Sequence, residues 1–98
     1  MIVSVNLEEE IGMIANRSSQ SVVVSGWVLH SVKGNQRFTF PAGTVIATNS
    51  SITVVSGTNA SAGAGRLLWT RSHIWNNDGD PAVLLDAGGR EVSRFPAR

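Results

Sequence analysis

Asn76, Asp78 and Asp80 stand at alternate positions around Gly79, the arrangement by which short loops offer oxygen donors to calcium. Calcium takes about six to eight oxygens. This run has two carboxylates and no terminal bidentate glutamate, so it falls short of a cage. The same residues form a turn without metal, because Asn, Asp and Gly accept left-handed backbone and bond their own main chain. Asn76, Asp78, Gly79 and Asp80 are therefore read as a structural turn, with no metal and no cofactor.

Hydrolysis would need a nucleophile, a base and an orienting acid. His30 and His73, Asp78, Asp80 and Asp86, and many serines supply those residue types. The context is missing: no Gly-x-Ser-x-Gly elbow occurs and no spacing marks an activated hydroxyl. Cysteine is absent, which removes thiolate metal sites, disulfides and a cysteine nucleophile together. Both histidines read as surface or packing residues. The chain reads as a non-enzyme.

Two further sets suit binding. Arg90, Arg94 and Arg98 recur at even positions along a terminal strand, so alternation would align them on one sheet face as a contact for nucleic acid or another acidic polymer. Glu91, Asp86 and Glu8 to Glu10 offset them. Eight Lys and Arg against seven Asp and Glu give a formal charge of +1, with no long-range pull toward nucleic acid or anionic lipid. Trp27, Trp69 and Trp75 would make an aromatic shelf if exposed, but rings this large in a small domain more often fill its interior. With Phe38 and Phe40 they are assigned to the core. Sequons at Asn16, Asn49 and Asn59 have meaning only in a eukaryotic secretory setting.

The scaffold beneath these residues has the two-residue period of strands and is rich in β-branched side chains. Strands are expected over Ile2 to Leu7, Ile11 to Asn16, Val22 through Leu29, Arg37 to Phe40, Thr44 to Ala47, Ser51 to Val55, Ala82 to Leu85 and Arg90 to Phe95. Lys33 to Gln36 reads as a hairpin turn, and Gly26 as a bulge or a close backbone approach. The Gly, Ala and Ser stretch from Gly57 to Gly65 reads as a mobile loop. No helical stripe with caps is found. Ninety-eight residues make one domain, 1–98. Many short strands at turn-rich spacing point to an all-β fold, a sandwich of mainly antiparallel sheets. No run reaches the roughly 18 apolar residues of a membrane span. Met1 to Val5 lacks the basic start and apolar run of a signal peptide, so an export signal would lie outside this chain.

Several blocks together resemble the lamin tail domain, in the form appended to bacterial secreted proteins. They are Glu10 leading through an alternating strand to Asn16, then Ser25-Gly26-Trp27, then Phe38 to Thr44 ending in Pro-Ala-Gly-Thr, then Trp75 to Asp80. The resemblance is strongest over residues 10–92. Gly12 and Met13 depart from it, standing where bulkier and more polar residues are usual. The resemblance implies an immunoglobulin-like β-sandwich, in agreement with the strand pattern. In bacteria such modules are appended to metallo-β-lactamase-fold hydrolases, competence-related proteins and secreted nucleases. It therefore implies a piece of a larger envelope or extracellular protein, linked to a catalytic domain. The work expected of it is to tether or orient that neighbour by binding protein or cell-surface polymer. The alternative is an accessory nucleic-acid-binding module of a nuclease or DNA-uptake protein.

Overall fold

Short runs rich in β-branched residues, most of them stopped by turn-forming residues, fold into strands. The computed structural model describes residues 1–58, 60–75 and 79–95. These form β1 (Ile2–Asn6), β2 (Ile11–Asn16), β3 (Val22–Val23), β4 (Val28–Ser31), β5 (Gln36–Thr39), β6 (Val45–Ile46), β7 (Ser50–Ser56), β8 (Arg66–Thr70), β9 (Ala82–Leu85) and β10 (Glu91–Phe95). One sheet has the order β1-β2-β7-β8 and the other β10-β9-β4-β5, while β3 and β6 pair as a separate ribbon. Besides the pairs of consecutive strands there are three long-range pairings, β2-β7, β3-β6 and β4-β9. The expected all-β, immunoglobulin-like sandwich is what the chain forms. Among the described residues, no helix is long and apolar enough to cross a membrane.

Alternation sends one face of each sheet inward. Val3, Ile14 and Val54 from the first sheet meet Leu29, Ala82 and Leu84 from the second, and Phe40 and Ile46 complete the buried cluster. Strand β2 lies between β1 and β7, paired in register with both. Gly12 lies inward on β2, and a Cβ there would lie 2.9 Å from Leu29 Cδ2 on the facing strand, so any side chain at that position would force Leu29 to shift. Gly26 is a bulge and not a close approach. At a φ of 75° its N donates to Phe40 O at 3.0 Å while Phe40 N donates to Trp27 O at 2.8 Å, so two residues oppose one just before β4, and an added Cβ would meet only Ala87 Cβ, at 3.6 Å.

Strand β8 was not among the expected strands, and its pairing with β7 is parallel. Arg66-Leu67-Leu68-Trp69-Thr70 carries adjacent apolar residues, so it lacks the alternation that marks a strand. A parallel pair needs a return crossover, and residues 57–65 supply it. Gly63 and Arg66 exchange backbone hydrogen bonds of 3.2 and 3.0 Å to close its final turn.

The two outward faces differ in chemistry. On the second sheet, Arg94, Val83, His30 and Arg37 face one another across β10, β9, β4 and β5 in a single row. On the first sheet the rows run Ser4-Met13-Thr53-Arg66 and Asn6-Ile11-Val55-Leu68, with Ile2 opposite Ala15 beyond them. Arg66 is the single charge in those rows. Across one side of the sandwich, Val3 N donates to Ser93 Oγ at 3.2 Å and ties β1 to β10.

Candidate functional site

The polar side chains best placed for chemistry are buried, and all of them fasten loops. Asp80 is fully buried. Its Oδ2 accepts from Ser31 Oγ at 2.6 Å and its Oδ1 from Lys33 N at 3.0 Å, so it braces the end of β4 and the turn that follows. Gly79 beside it is also buried, at a φ of 132°. Asn76 and Asp78 lie outside the described residues. Among the described residues no group of three or more His, Cys, Asp or Glu is placed to hold a metal.

Glu10 is the buried carboxylate that reading the sequence missed. It sits in the left-handed region, at φ 60°, where the β1–β2 turn enters β2. Its Oε1 accepts from Ile74 N and from Ser56 Oγ, the latter at 3.0 Å, and its Oε2 accepts from Trp75 N at 2.9 Å. Charged acceptors bind backbone N–H groups more strongly than neutral ones. Glu10 and Asp80 thus clamp the 74–80 segment near its two ends. Only the place of Glu10 at the head of the alternating strand could have signalled this, because Glu8 and Glu9 beside it are exposed.

Asn16 plays the same part at the other end of β2. Its Nδ2 donates to Ile46 O at 2.8 Å and Gln20 O at 2.9 Å, while its Oδ1 accepts from Ser18 N and Ser18 Oγ. It is fully buried, so its sequon has no accessible amide.

The aromatic residues form a chain through the interior. Phe38 meets Phe40 with centroids 5.2 Å apart, Phe38 meets Trp69 at 5.8 Å, and Trp69 meets Trp75 edge-on at 5.9 Å. Phe40 and Trp75 are buried, and Trp27, Phe38 and Trp69 are partly buried against the same cluster. Trp27 lies at the margin of the core because the turn at Ser25-Gly26 precedes it, and Leu29 takes the central place in β4. Among the described residues, Trp75 Nε1 is buried with no hydrogen-bond partner.

A family profile for the lamin tail domain matches residues 6–97. The chain belongs to the lamin tail domain family. No curated protein matches it. The family has a non-catalytic, immunoglobulin-like fold, in keeping with the loop-fastening roles of Glu10, Asn16 and Asp80.

In this lamin tail domain, among the described residues, Arg90 and Arg94 do not share the sheet face that the expected arginine stripe needs. The β10–β9 register shifts between Glu91 and Ser93, so an extra residue breaks the alternation. Glu91 is opposite Leu85 and Arg94 opposite Val83, which puts residues three apart on the outer face, with Arg90 out of phase with them. Arg94 Nη2 also donates to Glu91 Oε1 at 3.0 Å. That hydrogen bond, then the carboxylate's charge, raises the guanidinium pKa above its ordinary value. Arg98 lies outside the described residues. His30 is half-buried, with Nε2 3.2 Å from Asn35 Oδ1, and exposed His73 lies beside Gly57.

Two surface grooves open on the first sheet's outer face, toward opposite ends of β2. One, of about 290 Å³, has Ile11 and Val55 at its floor, with Glu8, Glu9, Arg66 and His73 around it. The other, of about 250 Å³, is lined by Met13, Ala15, Arg17 and Ser51.

Proposed function

We propose that this lamin tail domain is an interaction module that tethers or orients a neighbouring domain by binding protein or cell-surface polymer, in a bacterial protein of the envelope or exterior. The observation that carries the reading is the division of labour among its polar residues. Among the described residues the buried Glu10, Asn16 and Asp80 hold loops, with Ser31 and Ser56 bonded to the two carboxylates, and the exposed surface is two broad sheet faces and their turns. Such a rigid scaffold suits contact more than chemistry. A fluorescent reporter fused to the domain tests it. The fusion is expected in the envelope fraction of a bacterial host and the reporter alone is not. Equal distribution of the two would defeat the reading.

Nucleic acid is the second reading. In place of the expected stripe it draws on Arg37 and His30, which share a row with Arg94. Glu91 neutralises part of that row, so the contact offered to phosphate is small.

A further inference from the structure

The outer face of the β1-β2-β7-β8 sheet carries one charge in its rows, Arg66 on the edge strand, where its counterpart on the other sheet carries several. Ile2 is 51% exposed and Met13 40%, and they are diagonal neighbours across the β1–β2 ladder. Ile11 and Leu68 continue the patch through Val55, while Ser4 and Thr53 add small neutral side chains. Arg66 lies at the margin on the edge strand, its guanidinium against the Gly63 turn. Isolated apolar residues on a surface are ordinary, but a connected patch marks a contact site. The exposed valines of the small ribbon, Val23 and Val45, are by contrast a pair standing alone.

The ends of this face carry opposite signs. Exposed Glu8 and Glu9 border the groove at the β1–β2 turn, and exposed Arg17 borders the groove at the far end of β2. We infer that the occupant of this face is a second copy of the chain, stacked sheet on sheet and head to tail. That arrangement lays Glu8 and Glu9 of each copy against Arg17 of the other and covers Ile2, Met13, Ile11 and Leu68. Four strands about 4.8 Å apart and some five residues long cover roughly 300 Å² on each copy, or about 600 Å² in total, within the range of weak, transient contacts. The dimer is therefore weak and forms at micromolar or higher concentration. The inference rests on the interaction reading above, to which it gives a partner.

Sedimentation equilibrium from about 10 µM to about 1 mM, bracketing the affinities of small interfaces, is the test. The dimer fraction is expected to rise with concentration. Met13→Lys should weaken it at least about tenfold, and Val23→Lys, on the other exposed apolar pair, should leave it unchanged. Arg17→Glu alone, and Glu8→Lys with Glu9→Lys, should each weaken the dimer, and mixing the two proteins should restore a heterodimer. All of these sites are exposed, and thermal melts check that each variant is folded. A protein that stays monomeric throughout, or a dimer indifferent to Met13→Lys and to the charge exchange, overturns the proposal. If a monomer still carries its reporter to the envelope, the tethering reading stands without this partner.

Discussion

Glu10 holds more of this fold together than its place in a run of three glutamates suggests. Its carboxylate accepts from two backbone amides and a serine hydroxyl, and Asp80 does similar work from the opposite end of the same segment. Truncating either leaves buried donors without acceptors, at about 1–3 kcal/mol for each group stranded. Glu10→Ala and Asp80→Ala should therefore each cost about 2–4 kcal/mol in urea melts. Exposed Glu9→Ala should cost under about 0.5 kcal/mol by the same measurement. Equal losses at Glu9 and Glu10 would mean that the clamp is not formed. Burial is what separates these neighbours, and no local residue pattern encodes it. Asp80 was legible as a structural residue because the Asn, Asp and Gly around it are turn formers. The margin position of Trp27 was not legible, because alternation counted from Leu29 ignores the turn at Ser25-Gly26.

At the scale of the strands, period-two alternation located β1, β2, β5, β7, β9 and β10 within a residue or two. It failed at β8, where Leu67, Leu68 and Trp69 are adjacent and the alternation is lost. It also failed at the bulge in β10, because one inserted residue shifts every side chain beyond it to the other face. Gly12 shows how an element can be shaped from across the core. Gly12→Val would drive a side chain into Leu29 and should cost about 1–3 kcal/mol of overpacking strain. Leu29→Ala leaves space there, so the double variant should be more stable than the two single losses predict when added. A chemical-denaturation double-mutant cycle measures that coupling. Strict additivity would show that the two positions do not meet.

Charge is a property of the whole molecule, and here the net value conceals its distribution. The formal +1 includes the carboxylates of Glu10 and Asp80, which lie in the interior. Arg17, Lys33, Arg37, Arg66, Arg71 and Arg90 are all exposed. They are spread over both sheets and several turns, so no one duplex could meet them all. Binding to duplex DNA at physiological salt should be no tighter than the roughly 10⁻⁴–10⁻⁶ M of non-specific association. Arg37→Ala should weaken it modestly and flatten its salt dependence. Fluorescence titration at two salt concentrations decides this, and sub-micromolar, salt-sensitive affinity would favour the nucleic-acid reading.

The hydrogen bond from Val3 to Ser93 sets the first and last strands side by side. Both strands run the same way, from the end of the sandwich that holds Asn16 toward the end that holds Glu10. A polypeptide running through the sandwich therefore enters toward one end and leaves toward the other. The domain lies in line with it as a rigid spacer, with about the rise of a five-residue strand between entry and exit.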